Sequence, residues 1–306
     1  MSILVIASSR FVEWQLATLR ALAPRERFVT DPATAPSDGV EAIVAYRLAA
    51  GIAPRFPGLR FVASPGAGVD ELLAIDIPPQ VPIVRAIDPA QGQRMAQYVA
   101  LMVLRRQREL ARLETQHRSS EWRRFAPAEE KTIGVMGYGS IGGPVVATLR
   151  TLGFPVAVWT RNARPIDGVD AFAGDAGLGA FLGRSQVLVC TLPLTPETRG
   201  LLSAKTLAQL PRGAYLINVS RGGLLVEADL VAAIDSEHLA GAALDVFVTE
   251  PLPPDSPLWR RTEILCTPHV AAAPRPEAVG RQLLDNLQRA RRGEPLINVV
   301  DRGRGY

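Results

Sequence analysis

The stretch Lys131–Arg161 constrains the fold of this chain more than any other. It begins with a short β-rich run, Thr132–Met136, and glycines in the spacing G-x-G-x-x-G follow directly. An apolar segment with helical periodicity and a second strand-like run, Pro155–Trp159, complete a β–α–β unit. Such glycines let a dinucleotide pyrophosphate approach the backbone at a helix N-terminus, so the unit predicts a dinucleotide site. The predicted cofactor contacts in this turn are Gly137, Tyr138, Gly139, Ser140, Ile141 and Gly142.

The end of the second strand indicates which dinucleotide is preferred. An NAD site usually carries Asp or Glu about 20 residues after the glycines, where the carboxylate binds the ribose hydroxyls. Here Thr160 and Arg161 occupy that point, Arg164 follows, and the first carboxylate, Asp167, comes later. Guanidinium groups bind a 2′-phosphate in a fork, whereas a carboxylate repels it. We therefore predict NADPH as the preferred cofactor, with NADH possible at lower efficiency. The alternative is that these arginines are ordinary solvated loop residues.

Composition limits the class of protein. The chain has 306 residues, comfortable for two domains, and its hydrophobic content of 47% supports packed cores. A net charge of +4 does not imply a nucleic-acid or membrane partner. Cys190 and Cys266 each stand at the end of an apolar run. This position predicts two buried free thiols, with no disulfide or metal site. Because neither a signal peptide nor an apolar run of about 18 residues is recognisable, we expect a cytoplasmic protein.

The order of strand-like and helix-like segments predicts two α/β domains. The first stretch of the chain, up to about Arg85, alternates short strands and helices, which predicts a parallel sheet. From Lys131 onward, six strand-like runs match a complete doubly wound sheet. A last helix, Pro276–Arg292, has no strand left to join, so we expect it to pack on the first domain. The prediction is two doubly wound parallel-sheet domains, a Rossmann-type nucleotide domain (93–272) inserted in a discontinuous flavodoxin-like substrate domain (1–92 and 273–306).

A longer helix is predicted between the two systems, from near Gln93 to Leu110. It carries an apolar stripe beginning at Met95, with arginines on its polar flank. The flank is either a solvated face or part of a domain-connecting helix that packs on a partner subunit. A nucleic-acid surface is disfavoured, because aromatic interleaving and a recognition motif are missing. The polar segment His117–Pro127 predicts a loop.

Three polar residues follow strands of the predicted nucleotide sheet, on the edge where ligands of such sheets bind. Arg221 follows one strand, Glu250 the next, and His269 the last. Histidine is poised to give a proton near neutral pH, a carboxylate beside it favours its protonated form, and Arg offers two donors to a 2-keto acid. The set predicts hydride transfer to a ketone with His269 as proton donor. Taken singly, Arg221 and Glu250 could also be ordinary ion-pair residues. The other histidines, His117 and His238, are predicted at the surface.

Three further places are candidates for ligand contacts. The tripeptide Gly66-Ala67-Gly68 would expose consecutive backbone N–H groups before a helix, which suits a carboxylate, but the glycines could equally serve a tight turn. Asp245 ends a strand and could bind the nicotinamide carboxamide or only cap a turn. Tyr46 and Arg47 follow a strand of the first domain and could line the substrate pocket.

Five motifs, in this order, resemble the D-2-hydroxyacid dehydrogenases, and the resemblance covers essentially the whole chain. They are Ser64–Asp70, Gly137–Gly142, Asn218–Gly223, Leu244–Leu252 and Thr267–Ala272. The resemblance implies that Arg221, Glu250 and His269 are catalytic, that Ala67 and Gly68 bind the substrate carboxylate through their amides, and that Asp245 contacts the nicotinamide. Further cofactor contacts are predicted at Leu192, Pro193, Val219, Ser220 and Ala271.

Within that family, shorter motifs resemble the glyoxylate/hydroxypyruvate reductases of the A type. They include Gly-Phe-Pro before the second strand, Thr-Arg after it, and the closing Val300–Tyr306. This resemblance implies an NADPH-preferring, cytoplasmic homodimer that packs through its nucleotide domain and reduces glyoxylate or hydroxypyruvate. In one departure, Ala271-Ala272 stands where many relatives carry Gly-Ser, so a hydroxyl contact to substrate is missing.

Two alternatives to that function stay open. The first is a reductase of a bulkier 2-keto acid, and the second is a cofactor-sensing binding protein like the corepressors that share this fold. The Arg–Glu–His set favours catalysis, because a pure binder needs no proton donor.

Overall fold

The structure, a computed structural model, describes residues 1–6, 10–126 and 128–303. It divides into two compact units, one of residues 1–89 with 273–306 and the other of 90–272. The first boundary falls three residues earlier than predicted, because Ala90 and Gln91 already belong to the start of a long helix of the second unit. Pro127 of the predicted loop and the last three residues of the motif Val300–Tyr306 lie outside the described residues.

The first unit is built on a five-stranded sheet in which every pair of strands is parallel. Its strand order is β2-β1-β3-β4-β5, the flavodoxin-like order of a doubly wound sheet. Numbered along the chain, its strands are β1 (Ser2–Val5), β2 (Arg27–Val29), β3 (Val40–Val44), β4 (Phe61–Ser64) and β5 (Ile83–Arg85). Its helices are α1 (Arg10–Leu22), α2 (Asp70–Leu73) and α9 (Pro276–Arg292), with a 3₁₀ turn at Ala53–Arg55. Helix α9 packs on α1, where Nε2 of Gln15 donates to the carbonyl of Pro276 at 3.0 Å.

The second unit has a seven-stranded, wholly parallel sheet in the order β12-β11-β10-β9-β6-β7-β8. The strands are β6 (Ile133–Met136), β7 (Val156–Thr160), β8 (Asp170–Ala173), β9 (Val187–Cys190), β10 (Ala214–Asn218), β11 (Leu239–Leu244) and β12 (Ile264–Cys266). The prediction of two doubly wound parallel sheets is confirmed. The predicted count of six strands is wrong, because β8 is a four-residue edge strand whose side chains are all exposed or half-buried, with Phe172 as its one large apolar residue.

Helices cover both faces of this sheet. They are α3 (Gln91–Gln107), α4 (Leu110–Arg118), α5 (Gly142–Thr151), α6 (Gly174–Leu182), α7 (Ala204–Leu207) and α8 (Glu227–Asp235), with 3₁₀ turns at Gly222–Leu224 and Pro257–Arg260. Two clusters of buried apolar side chains, one on each face, form the core. None of the helices among the described residues is long and apolar enough to cross a membrane.

The single helix predicted up to Leu110 is in fact two. Helix α3 ends at Gln107, and Glu109 has a left-handed backbone with φ of 49°, which breaks the helix before α4. The predicted loop at His117 is therefore wrong at its start, since α4 continues to Arg118. The apolar stripe of α3 is buried in the core of its own unit, mainly against α5, so it is not the face left for a partner.

The two cysteines are free thiols, as predicted, but they differ in burial. Cys190 is fully buried in β9, and burial raises the pKa of its thiol to about 12. Cys266 is only half-buried at the end of β12, so the prediction that both are buried is wrong for this residue.

Candidate active site

The glycine turn between β6 and α5 has the geometry that a dinucleotide phosphate requires. Gly137 has φ of 98°, a backbone conformation that favours glycine. A Cβ on Gly142 would lie 2.1 Å from the carbonyl oxygen of Gly137, so a side chain there would separate helix from strand. Around Gly139, in contrast, a Cβ would meet nothing within 4 Å. The turn is thus tight where the protein packs on itself and open where a phosphate can approach the backbone.

The end of β7 carries the groups predicted to distinguish the two dinucleotides. The guanidinium of Arg164 lies 4.6 Å from the ring centre of Tyr138 and donates to the Tyr138 carbonyl, so it sits on the glycine turn. Arg161 is exposed, and the Thr160 hydroxyl donates to the carbonyl of Asn162 at 2.8 Å. Arg164 borders a cavity of about 250 Å³, whose lining residues are Ala163, Arg164, Pro165, Ala171, Phe172 and Ala173. The guanidinium of Arg164 beside this cavity fits an adenosine that carries a 2′-phosphate.

The remaining predicted cofactor contacts lie along the same edge of the sheet, beyond the ends of its strands. Leu192 follows β9, and its side chain reaches the glycine turn, 3.3 Å from the Cβ position of Gly137. The hydroxyl of Ser220 donates to the Leu192 carbonyl, and the Pro193 carbonyl accepts from Oγ1 of Thr198 at 2.7 Å. Val219 and Ala271 are buried beside them. The structure therefore gathers these residues in one place.

The side chains of Glu250 and His269 are in direct contact. Nδ1 of the imidazole lies 2.9 Å from Oε2 of the carboxylate, and Oε1 accepts the backbone N–H of Phe247 at 3.0 Å. Burial by itself would raise the pKa of Glu250, but the hydrogen bonds from His269 and Phe247 and the nearby charge of Arg221 hold that pKa below its ordinary value. Glu250 thus stays ionised beside the imidazole ring.

Arg221 is brought to Glu250 by a close approach of two loops. Asn218, fully buried at the end of β10, donates to the Arg221 carbonyl at 3.1 Å and accepts from the N–H of Ser220 at 3.2 Å. A Cβ on Gly222 would lie 1.9 Å from the backbone carbon of Phe247, so these segments pack backbone to backbone. Only glycine permits this contact, and it holds the Arg221 loop against the loop that carries Glu250.

Asp245 holds the segment that carries His269. Its Oδ1 accepts from the N–H of Val270 at 2.9 Å and from the hydroxyl of Thr267 at 2.6 Å, and its Oδ2 accepts from the N–H of Ala271 at 2.9 Å. Of the two roles left open by the sequence, the structure therefore supports the capping role directly.

In the first unit, the predicted carboxylate nest lies between β4 and the short helix α2. Ala67 and Gly68 are half-buried, and the Ser64 hydroxyl donates to the Gly68 carbonyl at 2.7 Å. Tyr46 packs closely on this turn, since a Cβ on Gly66 would lie 2.8 Å from its ring. Arg47 instead forms an ion pair with Glu71 at 3.0 Å.

The three histidines lie in different environments. His269 is about half exposed at the sheet edge, and His117 is exposed on α4. His238 follows α8 and is half-buried, with Nε2 3.1 Å from the carbonyl of Leu207, so the predicted surface position is only partly right. Among the described residues, no group of three or more His, Cys, Asp or Glu could hold a metal ion.

Two residues of this site were not singled out from the sequence. The Thr267 hydroxyl, which donates to Asp245, lies 2.6 Å from the hydroxyl of Tyr98 on α3. The Thr-Pro-His order pointed to His269 but gave no sign of a role for Thr267, and Tyr98 had no distinguishing mark within an amphipathic helix.

Comparison with known proteins supports the geometry. Residues 100–271, more than half of the chain, match the family model of the D-isomer specific 2-hydroxyacid dehydrogenase, NAD binding domain. A D-isomer specific 2-hydroxyacid dehydrogenase from Xanthobacter autotrophicus Py2, solved with NADPH and MES, is 38% identical, with a TM-score of 0.90 over 100% of this chain and 99% of that one. An NADPH-dependent glyoxylate/hydroxypyruvate reductase from Sinorhizobium meliloti, solved with NADP and sulfate, is 36% identical, with a TM-score of 0.91 and 100% of each chain covered.

A third solved structure is a probable 2-hydroxyacid dehydrogenase from Rhizobium etli CFN 42 in complex with NADP, HEPES and L(+)-tartaric acid. It is 35% identical, with a TM-score of 0.89 over 100% of this chain and 99% of that one. The resemblance seen in the sequence motifs is therefore confirmed over the whole chain. The protein belongs to the D-isomer specific 2-hydroxyacid dehydrogenase family and is an NAD(P)-dependent dehydrogenase.

Proposed function

We propose that the protein reduces small 2-keto acids with NADPH, converting glyoxylate to glycolate and hydroxypyruvate to glycerate. The observation that carries this proposal is the 2.9 Å contact between Nδ1 of His269 and Oε2 of Glu250. With Nδ1 engaged, Nε2 is the ring nitrogen that can give a proton to the substrate carbonyl oxygen. When bound, NADPH supplies the hydride that the carbonyl carbon accepts.

Arg221 binds the substrate carboxylate and polarises the adjacent carbonyl, since guanidinium presents two parallel donors. In the first unit, the backbone N–H groups of Ala67 and Gly68 are proposed as donors to a carboxylate. Glu250 orients the imidazole through its contact with Nδ1. The shift of the Glu250 pKa below its ordinary value is consistent with this role.

For the cofactor, we propose NADPH in preference to NADH. Arg161 and Arg164 follow β7 where an NAD-specific site has a carboxylate, and Arg164 already lies on the glycine turn. Three solved relatives carry NADPH or NADP, which supports the same choice for this chain. NADH remains a cofactor of lower efficiency in this proposal. Asp245 is proposed to face the nicotinamide carboxamide while it holds the His269 segment.

We further propose a homodimer that pairs through the second unit. Several large apolar side chains stay exposed on α3, α4 and the segment after them: Leu101, Leu104, Leu110, Leu113 and Trp122. A second copy of the chain would remove this surface from water. Sedimentation velocity should give a dimer for the wild type, and Leu101→Glu should shift it toward monomer. A cytoplasmic location also remains a prediction.

The deciding experiment is an NADPH-oxidation assay against glyoxylate, hydroxypyruvate, pyruvate and longer 2-keto acids. We expect the highest kcat/KM for one of the first two. A higher value for a longer acid would favour a bulkier substrate, to which the missing hydroxyl at Ala272 is relevant. Absence of turnover with every acid would overturn the enzymatic proposal and favour a cofactor-sensing binding protein.

A further inference from the structure

The backbone of His269 is held in a conformation that residues other than glycine seldom adopt. Its φ is 53°, in the left-handed region, which costs a non-glycine residue about 1 kcal/mol or more. Such a conformation persists only where the surroundings determine it. The residues that hold this segment therefore influence where the proton-donating ring points.

The immediate restraint is the carboxylate of Asp245, whose residue is 1% exposed. It accepts hydrogen bonds from Thr267, Val270 and Ala271, on both sides of His269. The carbonyl of Asp245 also accepts the N–H of His269 itself, at 2.9 Å. The segment is thus fastened to one buried residue at four points.

The second restraint comes from α3, and its direction follows from the chemistry of the groups. A carboxylate only accepts hydrogen bonds, so the one hydroxyl proton of Thr267 goes to Asp245. The Tyr98 hydroxyl, 2.6 Å from Oγ1 of Thr267, must then be the donor in its contact. Burial raises the pKa of the Tyr98 phenol, so the phenol keeps its proton at working pH. The chain of donors runs from Tyr98 through Thr267 to Asp245.

Helix α3 also contacts the two other parts of the site within its unit. At its first residue, Nε2 of Gln91 donates to the carbonyl of Ala272 at 2.9 Å, at the far end of the His269 segment. One residue on, a Cβ on Gly92 would lie 2.6 Å from the carbonyl oxygen of Ser140, so α3 touches the glycine turn. The helix thereby links the turn that receives the cofactor to the segment that carries the proton donor.

We propose that Tyr98 is a positioning residue for the reaction: its hydroxyl, through Thr267 and Asp245, fixes the His269 segment relative to the cofactor turn. This inference rests on the proposed function for its effect on turnover. Its structural part stands independently, because the order of the segment can be measured without substrate.

The test is Tyr98→Phe, which removes the hydroxyl and keeps the ring. We expect kcat for 2-keto acid reduction to fall about tenfold, while the KM for the acid and the Kd for NADPH change by less than about twofold. Amide hydrogen exchange at Val270 and Ala271 should accelerate by about 3- to 10-fold, the effect of losing about one hydrogen bond. The matched control is Tyr215→Phe, the same change at a half-buried tyrosine on β10, which should leave both quantities unchanged.

Two further variants separate positioning from a general loss of structure. Thr267→Val breaks the chain at its next link, so adding Tyr98→Phe to it should cost less than about twofold in kcat. In a His269→Gln background, Tyr98→Phe should likewise leave the residual kcat unchanged within about twofold, because the hydroxyl acts through the imidazole.

A kcat within twofold of wild type in folded Tyr98→Phe would overturn the proposal. An equal loss of kcat in Tyr215→Phe would also overturn it. So would a tenfold further loss of kcat when Tyr98→Phe is added to His269→Gln. If the wild type reduced no 2-keto acid, the proposed function would fail by itself. Exchange at Val270 and Ala271 would then decide the positioning role, and unchanged exchange rates would overturn it. Should Tyr98→Phe not fold, Thr267→Val gives the same two readouts.

Discussion

Nδ1 of His269 and Oε2 of Glu250 lie 2.9 Å apart, and this contact decides which nitrogen of the ring is available for chemistry. The other carboxylate oxygen accepts the backbone N–H of Phe247 at 3.0 Å, so the carboxylate cannot rotate away from the imidazole without losing a second bond. The pair is therefore a fixed unit, and it leaves Nε2 as the ring nitrogen for the proton transfer that we propose.

The first prediction concerns the charge of this pair. Glu250→Gln keeps the size of the side chain but removes the negative charge that lies beside Nδ1 of the imidazole. We expect kcat for reduction to fall about tenfold or more, whereas His269→Ala should lose about 100-fold or more at every pH. A pH profile of NADPH oxidation from about pH 6 to about pH 9 measures both. A Glu250→Gln profile with wild-type height and shape would refute the role of the charge.

The second prediction concerns the backbone contact between Gly222 and Phe247. A Cβ at residue 222 would lie 1.9 Å from the Phe247 carbon and 2.3 Å from the nitrogen of Val248, and neither atom can move without its loop. Gly222→Ala should therefore destabilise the protein by about 1–3 kcal/mol and displace Arg221 from Glu250. We expect kcat/KM for the 2-keto acid to fall by more than the decrease in the fraction of folded protein can explain.

The matched control for this variant is the next glycine. A Cβ on Gly223 would meet only side-chain atoms, Cδ2 of Leu194 at 3.0 Å and Nη1 of Arg199 at 3.2 Å, which can yield. Gly223→Ala should thus have a smaller effect on both denaturant unfolding and kcat/KM. Equal effects of the two substitutions would mean that the close approach at Gly222 is not what aligns the loops.

Sequence reasoning identified the candidate residues of this site because parallel strands bring their carboxyl ends to one edge. Arg221, Glu250 and His269 each follow a strand, and strand order alone predicts that they lie close together. Tyr98 could not be found in this way, since it is 169 residues from Thr267 along the chain. A tyrosine with that spacing in an amphipathic helix is indistinguishable from one that simply packs in the core.

The elements of the fold could also be predicted from the sequence only where the sequence carries a signal for them. Buried strands give apolar runs, so both parallel sheets were expected. Strand β8 was missed because this exposed edge strand has one large apolar residue, Phe172, and so gives only a weak strand signal. The break between α3 and α4 was missed because Glu109, which takes the left-handed conformation there, carries none of the usual signals of Gly or Pro.

The third prediction concerns the cofactor. Arg161→Ala removes an exposed guanidinium at the end of β7, where the 2′-phosphate is proposed to bind. We expect the KM for NADPH to rise about tenfold or more, as for loss of a charged hydrogen bond, with little change in the KM for NADH. The control is Arg212→Ala, which removes an exposed arginine that pairs with Glu237 elsewhere on the same unit. It should change neither the KM for NADPH nor the KM for NADH. A parallel rise in both KM values for Arg161→Ala would argue against phosphate recognition.

The fourth prediction concerns the acid stability of the first unit. Arg291 on α9 binds Glu26 with both guanidinium ends, at 2.6 and 2.7 Å, and this hydrogen bonding holds the pKa of Glu26 below its ordinary value of 4.5 despite partial burial. A lowered folded-state pKa means that the unfolded chain takes up the proton first. The pair therefore stabilises the fold above about pH 4.5, and that contribution disappears as the pH falls through the lowered pKa.

Glu26→Gln should accordingly lower the free energy of unfolding by about 1–2 kcal/mol at pH 7, and the difference from wild type should shrink as the pH falls below 4.5. Urea unfolding of both proteins from pH 7 to about pH 3 measures the difference. Glu277→Gln is the control, because its pair with Arg281 is exposed on both sides and should contribute less than about 0.5 kcal/mol. An ion pair loses its contribution once the carboxylate is protonated. If the difference in free energy of unfolding between Glu26→Gln and wild type stayed constant with pH, α9 would therefore be held by packing.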